Sequence, residues 1–280
     1  MSAVASNFAI NILLAGSLNQ VWGMLNNLQL VLHSPLINVQ FPANAFLVFD
    51  VMISVATFDL LPTDLILPEL FTNLPEDDPF TDKFDRLGIG SRFLVMNMGT
   101  MLLIFMFYII LYFIYPCVRF FRHDIKCCKK TAKKLKPMLF WNHSILFLLE
   151  GYLDILIAAF INLVFLRNGE FDWSSWSVVV TNFLCIFLLL CCAFLFIFTT
   201  VYLWPRFGKL NKSKFKDRFL PIYEMINLRH GKWTMLWPVF FMLRRILFVV
   251  AICFLIEYAV IQILFFLVPT LFVLVIIALV

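Results

Sequence analysis

Charge is scarce in this 280-residue chain: 14% of its residues are Asp, Glu, Lys or Arg, against 62% hydrophobic. A soluble domain of that composition would lack the polar surface to cover itself, so a water-soluble globular fold is excluded. Glycine is sparse as well, with 9 residues, and none builds a nucleotide-cradling loop, a nucleophile elbow or a selectivity-filter run. No metal-ligand pair and no positioned Ser/His/Asp set occurs either, so the chain reads as a non-enzyme that needs no cofactor. His33, His123, His143 and His230 are scattered over separate segments, which is not the spacing of a zinc site. The 7 cysteines fall in apolar stretches or in one basic loop, and that placement suggests no disulfide framework. Met1–Ile10 lacks the basic start of a cleavable signal peptide.

What the chain has in quantity is apolar length. A bilayer core needs about 20 apolar residues per helix, and Phe93–Tyr115, Leu139–Leu166, Ser177–Trp204, Trp237–Ile256 and Gln262–Val280 each qualify. Leu102–Tyr115 and Phe183–Phe198 are continuously apolar, whereas strands of a membrane barrel alternate apolar and polar residues, so the barrel is rejected. The fold class is an all-α, multi-pass transmembrane helix bundle. The chain reads as a single domain. Residues 1–61 form polar N-terminal helices, 62–92 an acidic outer loop, and 93–280 a five-helix core with basic loops at 116–138 and 205–236.

Those two loops hold most of the 22 Lys and Arg, which assigns both to the cytoplasm. Their expected partners are the bilayer and its anionic cytoplasmic-leaflet lipids, with no role for nucleic acid. Cys127 and Cys128, among lysines beside a helix end, are the candidates for reversible lipidation, with two unmodified thiols as the alternative.

Ser2–Leu32 is long enough to cross but carries several Asn and Gln side chains, which must face other helices or water. Asn44–Leu61 is shorter and contains Asp50 and Asp59, so it is either a short interior span or a re-entrant piece. Counted as a span, it brings the total to about seven, and two cytoplasmic basic loops then require an outside N-terminus. The chain ends at Val280 inside an apolar run, as a fragment of a longer protein would.

Several motifs resemble a known family. They are Trp22-Gly23-Met24 with Asn26 and Gln29, then Phe41-Pro42-Ala43-Asn44-Ala45, then Trp141-Asn142 followed by Glu150, and last Lys232, Pro238, Phe241 and Arg244-Arg245. In order and spacing they resemble the TRP-like membrane region of long ciliate surface proteins, which is similar to the fungal flavin-carrier and polycystin-like TRP family. The resemblance implies a membrane domain following a large ectodomain, with a role in passage of a cation, calcium included, or of a small molecule. It leaves homo-oligomerisation open, and it fits the plasma membrane or an internal vesicle membrane.

Charges inside apolar stretches are the candidate functional residues. Glu150 and Asp154 are four apart, hence expected on one helix face. Arg244 and Arg245 enter another helix from the same side, within reach of snorkelling side chains. The cluster is either a salt-bridge knot fixing two helices or the lining of a cation pathway. Asp50 and Asp59 are candidates for the outer vestibule. Three classes of function remain open: a cation-conducting protein, a lipid or small-molecule carrier, and a non-conducting anchor for an ectodomain.

Overall fold

A computed structural model of the chain describes residues 28–56, 63–71, 74, 79–121, 129, 132, 136, 138–169, 173, 175–224, 228 and 231–279. Among these every regular element is helical and no strand occurs. That is the arrangement an apolar chain must take in lipid, where each backbone N–H and C=O needs a partner within its own segment.

A helical segment at 28–32 leads into a 3-10 turn, Ser34–Leu36. Helices α1 (Ala43–Ala56), α2 (Thr63–Leu70), α3 (Asp82–Arg86) and α4 (Leu94–Asn97) precede the long α5 (Gly99–Phe120). A π-helical turn at Met138–Asn142 opens α6 (His143–Glu150), and α7 (Tyr152–Asn168) follows. Helix α8 (Trp176–Ile197) continues through a π turn, Phe198–Leu203, and a 3-10 turn, Trp204–Lys209. The last three helices are α9 (Ser213–Tyr223), α10 (Leu236–Phe254) and α11 (Ala259–Leu279).

Among the described residues three helical runs are long and apolar enough to cross a membrane: Gly99–Phe120, Trp176–Lys209 and Lys232–Phe254. The pair α6 and α7 makes a fourth if its two bent halves are one span. The expected spans Ser177–Trp204 and Trp237–Ile256 shift to Trp176–Lys209 and Lys232–Phe254. The expected span at Gln262 is met by a shorter apolar run of α11, Ala259–Val275, and two others are interrupted. The stretch beginning at Phe93 is divided, because α4 turns separately before α5 starts at Gly99. The stretch Leu139–Leu166 is not one helix, since its two halves diverge by 68°. In the N-terminal part, α1 is described over Ala43–Ala56, and residues 57–61 of the expected Asn44–Leu61 lie outside the described residues.

Helix α7 is central and packs against both α8 and α10. Apolar side chains lie all around it, interrupted by Asp154 and Asn162, and Tyr152, Leu153, Ile155, Ala159 and Ile161 are fully buried, as expected of a helix enclosed by its neighbours. Helix α5 instead turns large apolar side chains outward, with Phe113 76% exposed. Those rings would sit in lipid tails, which removes the aggregation hazard such a surface carries in water.

The π turn before α6 frees a carbonyl, and side chains satisfy it: Tyr112 Oη donates to Leu139 O at 2.6 Å and Ser144 Oγ at 2.5 Å. At this end Trp141 meets Phe219 edge-on at 5.2 Å, with Arg218 5.7 Å above the Trp141 ring. The segments bordering the two basic loops therefore share one end of the bundle. At the other end Lys83 Nζ donates to Ile37 O (3.3 Å), Asn38 Oδ1 (3.1 Å) and Val39 O (2.9 Å). Asn38 in turn donates to Ile256 O and, through its amide, to Gln262 Oε1. The acidic loop and the α10–α11 turn are thus tied together there.

Candidate functional site: a charged cluster at a broken helix

Gly151 is the break between α6 and α7. Its amide still bonds Phe147 O (3.0 Å) and its carbonyl still accepts from Ile155 N (2.8 Å), so both backbone groups of Gly151 stay paired through the bend. A Cβ at this position would collide with Met101 Cε of α5 and lie 3.3 Å from Phe147 O. Glycine is what allows α5 to approach so closely.

The break corrects the expectation that Glu150 and Asp154 share a face. The i, i+4 relation holds only along a continuous helix, and these carboxylates belong to two helices whose axes differ by 68°. Glu150 closes α6, half-buried and within electrostatic reach of Tyr108 on α5. Asp154 lies in the first turn of α7, where the positive end of the helix favours an anion.

Asp154 gathers groups from two distant parts of the chain. His33 Nε2 is 3.6 Å from its Oδ1, and Gln29 Nε2 is 3.5 Å from its Oδ2. Arg245 of α10 is within electrostatic reach of it. The Arg245 guanidinium is completely buried, lies 3.5 Å from the centre of the Phe241 ring, and donates from Nη1 to Phe241 O at 3.4 Å. Cation–π contact and a carboxylate neighbour are the compensations a buried guanidinium requires. Arg244 is half-buried beside it, and Tyr152 approaches Arg245 from α7.

Of the four expected cluster residues, Asp154 and Arg245 come together, Arg244 flanks them, and Glu150 faces Tyr108 instead. Asp50 lies in α1; its side chain, Asp59, Cys127 and Cys128 lie outside the described residues. Sequence reasoning missed His33, Gln29 and Gly151. The signals were present: Gln29 and His33 are four apart in a helical stretch, and Gly151 interrupts an otherwise apolar helical pattern. Among the described residues no three His, Cys, Asp or Glu side chains converge as metal ligands would.

The protonation of His33 follows from its neighbours. His33 Nδ1 is 2.8 Å from Gln29 O, and a carbonyl only accepts, so Nδ1 carries the hydrogen. In a neutral ring Nε2 is then an acceptor, and it faces Asp154 Oδ1, another acceptor unless protonated. Among the described residues neither atom has a hydrogen-bond partner. One additional proton, on imidazole or carboxyl, turns that repulsion into attraction.

No family model, curated protein or solved structure matches the chain, so the TRP-like resemblance rests on the motifs quoted above alone.

Proposed function

We propose that this chain is a TRP-like multi-pass membrane protein that passes a cation through its helix bundle, and that the charged cluster handles the proton. The carrying observation is the pair of facing acceptors, His33 Nε2 and Asp154 Oδ1, 3.6 Å apart beside a helix broken at Gly151. Ionisable groups at an interrupted membrane helix are a recurrent basis of ion coupling. The charged or chargeable groups facing Asp154 are His33 and Arg245, with Arg244 beside Arg245 on α10 and Tyr152 of α7 against Arg245. Two guanidinium groups against one carboxylate oppose a divalent ion such as calcium at this cluster. A proton carries half the charge of calcium, so the same guanidinium groups oppose it less, and imidazole and carboxylate can each hold it. The seven crossings, an outside N-terminus and a plasma or vesicle membrane location belong to the same proposal.

A non-conducting anchor is the second reading, favoured by the proximity of Asp154 and Arg245, whose opposite charges can serve purely to fix α7 against α10. Reconstitution into liposomes with an imposed pH gradient separates the two. The transport reading expects proton flux above that of empty vesicles, lowered at least tenfold by Asp154→Asn in protein that still folds. Background flux from the wild-type protein removes it and leaves the anchor.

A further inference from the structure

A second buried polar cluster lies between α7 and α8, toward the end that carries the acidic loop. Asn162, Ser177, Thr181 and Asn182 are all completely buried. The two helices are antiparallel, and their register is fixed by two contacts: Tyr152 Oη donates to Cys192 O at 3.5 Å, and Cys185 Sγ to Ala159 O at 3.2 Å. Three residues beyond Ala159 is Asn162, and three before Cys185 is Asn182, so the two amides stand at one level of the pair. The backbone around α4 closes the cluster, with Asn162 Nδ2 donating to Arg92 O (3.2 Å) and Val95 N to Thr181 Oγ1 (3.3 Å).

Those contacts leave Asn162 Oδ1, Ser177 Oγ and both amide atoms of Asn182 without a hydrogen-bond partner among the described residues. Each such group buried dry is destabilising, and native interiors pair the large majority of them. Four on two adjacent helices define a site that must be filled by something polar.

We propose that Asn162, Ser177 and Asn182 enclose bound water between α7, α8 and α4. The mixed donor and acceptor character of the site selects water. A metal cation would satisfy the oxygens but leave the Asn182 Nδ2 donor facing positive charge, and an anion would be repelled by the acceptor-only oxygens Asn162 Oδ1 and Asn182 Oδ1. Water both donates and accepts, so molecules making about three hydrogen bonds each can serve the Asn182 Nδ2 donor and the three oxygens alike. The site lies about 12 Å along α7 from Asp154, at 1.5 Å per residue. It stands whether or not the chain conducts.

Radiolytic hydroxyl labelling of the intact protein tests this, because radicals form where water is held. Cys185, fully buried one helical turn from Asn182, should be oxidised several-fold faster than Cys253, a comparably buried thiol on α10. Asn182→Leu should remove that excess and lower the melting temperature, since it strands the water. Equal slow oxidation of both thiols in the wild-type protein overturns the proposal. So does a raised melting temperature for Asn182→Leu, the sign expected when an unpaired amide leaves a dry core. If that variant does not fold, the wild-type ratio of Cys185 to Cys253 oxidation decides.

Discussion

His33 Nε2 stands 3.6 Å from Asp154 Oδ1, joining the segment before α1 to the first turn of α7. The contact sits at the one place where the central apolar stretch changes direction. His33 is itself locked by Gln29, so the imidazole cannot turn its other nitrogen to the carboxylate without losing the 2.8 Å contact with Gln29 O. Its position is therefore set by the helical turn that carries both residues.

Asp154 and Arg245 should be energetically coupled. Removing one partner of a buried pair leaves an uncompensated charge at a cost of about 3–5 kcal/mol, more than removing both. Asp154→Asn and Arg245→Met should each lower stability in denaturant titrations, and the double variant should recover part of the sum. Additive single effects would show that the two side chains act independently.

Gly151→Ala should destabilise through steric overlap with Met101 Cε, by about 1–3 kcal/mol as an overpacked core does. The obstructing atom is the end of a flexible side chain, so Met101→Ala in the same protein should restore much of the loss. A melting temperature unchanged by Gly151→Ala would mean that α5 does not rest on the break.

Lys83→Met deletes three hydrogen bonds, to Ile37 O, Asn38 Oδ1 and Val39 O. Water can reach this partly exposed site, so the expected loss is modest, about 1 kcal/mol. Amide hydrogen exchange should quicken around residues 34–39 and in the α10–α11 turn. Protection unchanged in both places would show that Lys83 does not couple them.

The contact of Trp141 with Phe219 puts the borders of both basic loops at one end of the bundle. Lys136 and Lys216, both exposed, should therefore react together with a membrane-impermeant amine reagent, or be protected together, in sealed oriented vesicles. The charge bias predicts protection when the reagent is outside cells. Labelling of one lysine without the other would break the shared-end arrangement.

By itself the sequence determined the class of structure. Continuous apolar stretches such as Phe183–Phe198 leave a backbone no choice in lipid but to bond within its own helix, and that outcome needs no knowledge of neighbours. It also identified Asp154 and Arg245 as costly residues that must find partners. Which partners they find was decided only in three dimensions. The i, i+4 rule that paired Glu150 with Asp154 assumes an unbroken helix, but close packing of Met101 on Gly151 accompanies a 68° bend between them. The four-residue spacing of Gln29 and His33 was legible, but the partners of His33 and Asn182 were not, because a polar residue in an apolar chain acquires its role only from what the fold sets opposite it. For His33 that is a carboxylate on a distant helix, and for Asn182 it is Asn162, level with it across the antiparallel pair.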